Sequence, residues 1–246
     1  MKEKLYTLEL MDAVKAGDEC MFCWLERKLE QENLEFVLGS SYMEGDIRGQ
    51  TSETGFCRYH TKKMFDYGNT LGNAWILKSR LEYVNRELKQ KGPHSVEGKS
   101  GGLLGRFHKG GKGGAGTKDA PCYLCERIGA VYGRMWDTFV YLLQNDEEFG
   151  QRLMGSKGFC LPHYAHVQEI CGEKAKPRER ELWLPRLKEL MARNLDRVQE
   201  DIDWLIEKYD YRNKDADWKQ SQDAVPRTMQ KLVGGHPADP VFRGRK

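Results

Sequence analysis

Six of the seven cysteines fall into two copies of one cysteine–histidine pattern. Cys20-x2-Cys23 is followed by Gly55-Phe56-Cys57-x2-His60, and Cys122-x2-Cys125 by Gly158-Phe159-Cys160-x2-His163. Between the inner ligands lie 33 residues (24–56) in the first copy and 34 (126–159) in the second, and matching ligands are offset by 102 or 103. Three thiolates and one imidazole form a soft donor set that suits a tetrahedral ion with no redox demand, and four protein ligands leave no coordination position for water or substrate. The pattern predicts structural zinc, one ion per copy. Cys20, Cys23, Cys57 and His60 would hold the first ion, and Cys122, Cys125, Cys160 and His163 the second. An iron–sulfur cluster is the alternative metal reading. Disulfides fit less well because no secretory signal precedes the cysteines, and a thioredoxin-like pair because neither Cys-x2-Cys follows a strand.

The spacing says which elements must carry these side chains. Cys57 with His60, and Cys160 with His163, are three apart, which puts both on one helix face. Three thiolates, a neutral imidazole and Zn2+ sum to −1, a charge that free N–H groups at a helix start stabilise. Two bound ions would change the formal charge from +3 to +1. Gly55-Phe56 and Gly158-Phe159 read as tight entries to the ligand helices.

Periodicity supplies the helices themselves. After Asp18 as an N-cap, Phe22, Leu25, Leu29, Leu34 and Val37 mark an amphipathic helix that Gly39 stops. A helix begun near Gly55 is expected to run unbroken past Tyr67, Leu71, Trp75, Leu81, Val84 and Leu88 to about Lys89. It would carry Gly68 and Gly72 on one face, where another helix could approach closely. In the second copy, Leu124, Ile128, Val131, Met135, Phe139 and Leu142 mark a helix ending near 144–146. Another starts at Phe159 and breaks over 172–177. Leu184, Leu187, Met191, Leu195, Val198, Ile202, Leu205 and Tyr209 then form a coiled-coil-like seam, long enough to pack along its own module or against another subunit. A last segment, 215–233, reads as a capping helix with a break at Pro226. No alternating strand pattern is convincing. The predicted fold is all-α, with two pseudo-repeated helical modules, each stapled by a Cys3His zinc site, and a long C-terminal helix.

The predicted organisation is a first module over 1–90, a flexible Gly/Lys-rich linker over 91–120, a second module over 121–235 and a tail over 236–246. The linker holds ten of the 26 glycines and six Lys or Arg against two acids. It reads as a solvated tether, or as a docking segment through Leu103-Leu104-Gly105-Arg106-Phe107. No apolar run approaches the roughly 20 residues that cross a bilayer, and Met1-Lys2-Glu3-Lys4 does not open a signal peptide, so a cytoplasmic location is expected.

Other residues invite roles. His166, one turn beyond His163, could compete for or support the metal, but reads better as a surface histidine. Cys171 has no counterpart in the first copy and reads as a small buried apolar side chain. Trp24, Trp75, Trp136, Trp183 and Trp204 fall mostly on apolar stripes. Glu44, Asp46 and Arg48 read as a solvated turn or salt bridge. No nucleophile elbow, phosphate loop or His-Glu-x2-His motif is present, so no catalytic residue is assigned and the reading leans away from an enzyme.

Cys20-x2-Cys23-x2-Glu26, Ser41-Tyr42-Met43-Glu44, Glu53-Thr54-Gly55-Phe56-Cys57-x2-His60 and Tyr67-Gly68-Asn69-Thr70-Leu71-Gly72 together resemble an uncharacterised bacterial domain-of-unknown-function family found mainly in Firmicutes. The likeness extends over both modules and into 224–234. It implies bacterial origin and a paired-zinc helical build, with no established activity. The function expected is a non-enzymatic interaction or adaptor protein, binding a protein partner or itself through helical surfaces. The alternatives are nucleic-acid binding through linker residues Lys91 to Lys118 with Arg58, Lys62 and Lys63 nearby, and a thiol redox switch that releases zinc.

Overall fold

The computed structural model describes residues 4–90 and 121–235. The expected linker with its Leu103 to Phe107 island, and the tail, lie outside the described residues. The fold is all-helical, with ten α-helices and no strand among the described residues. They are α1 (Thr7–Lys15), α2 (Met21–Gly39), α3 (Gly45–Thr54), α4 (Arg58–Tyr67), α5 (Thr70–Gln90), α6 (Tyr123–Asn145), α7 (Glu147–Met154), α8 (Leu161–Lys174), α9 (Pro177–Lys208) and α10 (Ala224–Val233). No helix among the described residues is long and apolar enough to cross a membrane.

The chain divides into two compact units that interleave in sequence. One comprises, of the described residues, 4–27 and 132–235; the other comprises 28–90 and 121–131. The boundaries fall within α2 and α6.

In the first unit, α9 packs against α7, α8 and α10, and α1 packs against α7. Most of the predicted seam is consumed here, because Leu187, Met191 and Val198 are buried together with Trp183 and Leu190 of the same helix. Leu195, Ile202 and Leu205 are half-buried, and Tyr209 is exposed. Helix α7 was not anticipated. Asp146 caps it, its carboxylate accepting the Phe149 N–H at 2.9 Å, and buries Phe149 and Leu153. Pro226 does not break the last helix. It lies in the first turn of α10, where a missing N–H costs no intrahelical bond.

In the second unit, α3 and α5 pack together with a 3-10 turn over Ser41–Met43. The segment around Glu44, Asp46 and Arg48, expected to be a polar connection, enters α3 instead, and Arg48 donates to the Tyr42 carbonyl at 2.9 Å. The single long arm expected from Gly55 to Lys89 is two helices. Gly68 takes a left-handed conformation (φ 85°) that ends α4, and the Asn69 side chain accepts the Gly72 N–H at 2.9 Å to start α5. Gly72 still marks a close approach, since a Cβ there would lie 3.1 Å from the Tyr42 ring.

Candidate metal centres

Two groups of four donors converge, and each draws on both sequence repeats. Cys20, Cys23, Cys160 and His163 form one, in the first unit; Cys57, His60, Cys122 and Cys125 form the other, in the second. Within each group all donor atoms lie within 4.8 Å of one another. All eight predicted ligands are thus brought together, but not in the predicted sets. The reason lies in α2. Its last part, with Leu34, Val37 and Leu38, belongs to the second unit, where these residues pack with Cys57, Cys122, Tyr123 and Leu124, whereas Cys20 and Cys23 belong to the first. Each Cys-x2-Cys therefore meets the Cys-x2-His of the other repeat.

The backbone locks this exchange in place. Tyr123 N–H donates to the Gly55 carbonyl at 2.9 Å, and Met21 N–H to the Gly158 carbonyl at 3.4 Å. These are equivalent contacts, each from the residue after a first cysteine to the glycine of the opposite Gly-Phe-Cys. Gly55 and Gly158 both hold positive φ (75° and 73°), which favours glycine. Cys57 and Cys160 then occupy the N-cap positions of α4 and α8, where free backbone N–H groups favour anionic sulfur. Cys20 Sγ accepts the Cys23 N–H at 3.4 Å, and Cys122 Sγ accepts that of Cys125 at 3.5 Å.

The distances fit one ion per group. A tetrahedral zinc with metal–sulfur bonds of about 2.3 Å and metal–nitrogen bonds of about 2.0 Å would set sulfurs about 3.8 Å apart and sulfur about 3.5 Å from nitrogen. Cys23 and Cys160 sulfurs are 3.7 Å apart, and those of Cys57 and Cys125 are 3.9 Å apart. His163 Nδ1 lies 3.3, 3.5 and 3.2 Å from the sulfurs of Cys20, Cys23 and Cys160. His60 Nδ1 lies 3.4, 3.3 and 3.2 Å from those of Cys57, Cys122 and Cys125.

With Nδ1 facing the sulfurs, Nε2 must be held from behind. His60 Nε2 faces Glu30 at 3.5 Å, whose other oxygen binds Lys63 at 3.0 Å. His163 Nε2 lies 3.1 Å from the Tyr132 hydroxyl and 3.6 Å from Glu26. The Tyr132 hydroxyl donates onward to the Phe22 carbonyl at 3.2 Å, leaving its oxygen to accept from the imidazole. Such partners fix the tautomer and raise the basicity of a metal-binding histidine. Glu30 and Tyr132 went unnoticed in the sequence, yet they stand 102 apart, the same offset as the Cys-x2-Cys motifs, and that offset was the signal that could have found them.

The same close contacts set the protonation of these groups. Burial alone would lower both histidines, but the Cys122 sulfur and Glu30 hold His60 up to about 10, and the Cys160 and Cys20 sulfurs hold His163 up to about 12. Hydrogen bonding from Cys125 draws Cys122 down to about 3 against the effect of burial, and the same bond pushes Cys125 up. Burial opposes a charge on Cys20, yet contacts with Cys160, Cys23 and His163 hold it well below the ordinary thiol range. Each cluster thus favours negative charge on sulfur beside a protonated imidazole, a charge pair whose place a bound divalent cation would take. The residues present fit such a cation.

The remaining candidates fall outside both groups. His166 is half-buried and meets Glu169 at 3.1 Å. Cys171 is buried, and burial pushes its thiol up to about 11. Trp136 and Trp183 are buried, whereas Trp75 is 41% exposed beneath Arg48.

A model for a family of unknown function, DUF6062, matches residues 1–239. The chain belongs to this family. No curated protein and no solved structure matches it. The family description assigns no activity, so the DUF6062 chain must be read from its own geometry.

Proposed function

We propose that this DUF6062 protein is a zinc-stapled helical interaction protein, in which two mononuclear Cys3His zinc ions are structural and the work is done by helical surfaces. The observation that carries the zinc reading is the match of both donor groups to the edges of a single tetrahedron. A cluster of several irons would attach its ligands to different metal atoms, and eight donors split into two compact foursomes suit two single ions better. When bound, each zinc supplies a closed, redox-inert cross-link. Cys57 and Cys160 would tie the starts of α4 and α8 to the Cys-x2-Cys segments that lead into α6 and α2. Free thiols at all seven cysteines accord with a reducing bacterial cytoplasm.

The interaction reading rests on the face of α5. Leu77, Leu81 and Leu88 are exposed there at coiled-coil-like spacing. Of the basic residues that favoured nucleic acid, Lys62 pairs with Asp66 and Lys63 with Glu30, which leaves that alternative with less support. Elemental analysis of protein purified without added metal should give two zinc ions per chain. Sedimentation of the wild type against Leu81→Glu should then show self-association, or affinity for a defined partner, that the charge abolishes. A monomer whose partner binding ignores Leu81→Glu would count against the α5 face.

A further inference from the structure

The two centres are built alike and shielded differently. Cys23 and Cys125 are equivalent positions, each the second cysteine of its Cys-x2-Cys motif. Cys23 is buried and accepts the Gly235 N–H at 3.3 Å. The chain after α10 also passes directly over this centre, so that a Cβ on Gly234 would lie 3.4 Å from Cys160 Sγ and 3.8 Å from Cys23 Sγ. All three sulfurs of the first unit's centre are buried, and its partly exposed ligand is an imidazole. In the second unit's centre the partly exposed ligand is Cys125 itself. Among the described residues, its sulfur meets the members of its own ligand set.

Reactivity follows from that difference. A thiolate that is reachable and carries no N–H from outside its set keeps its charge available to an electrophile, whereas one that is buried under backbone and hydrogen-bonded is blocked sterically and electronically. Building on the zinc reading, we propose that the Cys57–His60–Cys122–Cys125 centre is an oxidant-responsive zinc site entered at Cys125, with hydroperoxides as the reacting class, while the Cys20–Cys23–Cys160–His163 centre is inert to them. The Cys125 thiolate attacks one peroxide oxygen, the O–O bond breaks, and a sulfenic acid forms as hydroxide leaves. A neighbouring thiolate, Cys57 at 3.9 Å or Cys122 of the same motif, then attacks that sulfur, forming a disulfide and releasing a second hydroxide. Two thiolates give up two electrons to the peroxide and solvent protonates both hydroxides, so that Cys57 or Cys122 together with Cys125 would no longer be donors to a bound zinc, which would be held by two residues in place of four. The loss frees the starts of α4 and α6.

The test uses the full chain as purified. Zinc content is measured first, and fewer than two ions per chain removes the zinc reading and this proposal together, before any oxidant is added. Hydrogen peroxide is then titrated with a chromophoric chelator present, and thiols are mapped by alkylation and mass spectrometry. One zinc should leave about tenfold or more faster than the other, with a disulfide joining Cys125 to Cys57 or Cys122 and with Cys20, Cys23 and Cys160 still reduced. Cys125→His, which keeps four donors but removes the accessible thiolate, should abolish the fast release. If that variant does not hold two ions, the wild-type thiol map decides. Equal release of both ions, first oxidation at Cys20, Cys23 or Cys160, or no release with two ions bound would overturn the proposal.

Discussion

Exchange of ligands between the repeats makes a prediction that within-repeat pairing reverses. Two double variants each remove two thiolates. Cys57→Ser with Cys125→Ser strikes one centre twice, because those sulfurs lie 3.9 Å apart in one group. Cys20→Ser with Cys57→Ser strikes both centres once, because those cysteines share a repeat but not a group. A structural zinc site is worth roughly 10–16 kcal/mol at neutral pH, as much as the 5–15 kcal/mol that holds a typical domain folded. Losing one thiolate should therefore cost the whole ion and unfold the unit it staples. The first variant is expected to keep one zinc and the helicity of one unit; the second is expected to keep neither. Cys171→Ser, outside both groups, should keep both ions. Elemental analysis with circular dichroism reads all three. A Cys20/Cys57 variant that retains one zinc, beside a Cys57/Cys125 variant that retains none, would refute the exchanged pairing.

Three further outcomes are expected. Lys231 is fully buried, donating to the Glu19 and Lys157 carbonyls and lying 3.2 Å from the Glu19 carboxylate, which Arg197 also holds, so Lys231→Ala strips buried carbonyls of their donor and should lose about 1–3 kcal/mol in denaturant melts. A Cβ on Gly150 would sit 2.6 Å from the Trp183 ring, so overpacking of up to about 3 kcal/mol outweighs the roughly 1 kcal/mol of helix propensity that Gly150→Ala gains, leaving a net loss. With His60 held at about 10 and Cys125 pushed up, both carry protons at pH 7, and zinc must displace them. Binding at that centre should release at least two protons, and affinity should fall about a hundredfold per pH unit of acidification, as calorimetry in buffers of different ionisation enthalpy would show.

Local signals in the sequence were read well where local physics governs. The Cys160 and Cys57 helix starts and the stripes of α2, α6 and α9 all follow from spacing and periodicity. The break at Gly68-Asn69 was also written in the sequence, as a left-handed cap followed by a side-chain cap, but the apolar stripe running across it disguised two helices as one. The pairing of ligands was not legible. Nothing in the spacing of 33 or 34 residues says that α2 will carry the chain away and that Cys57 will pack against Leu34, Val37 and Leu38 rather than beside Cys20. The cap on Cys23 was equally hidden, because Gly235 reaches it across 212 residues of chain.

The exchange changes what a repeat is. Residues 1–90 contain a Cys-x2-Cys and a Cys-x2-His, and so do residues 121–235, yet neither stretch holds a complete donor group. The ligand pairing is the one that two separate copies would make by each lending half of a site to the other, and here a single chain joins the two copies. Covalent linkage turns that association into an intramolecular step, whose effective concentration depends on the connecting residues 91–120 rather than on the amount of protein present. Metal binding at each proposed centre would then be coupled to the folding of the unit that holds it. The two centres need not share one fate afterwards, because Gly234 and Gly235 cover only the sulfurs of the first unit.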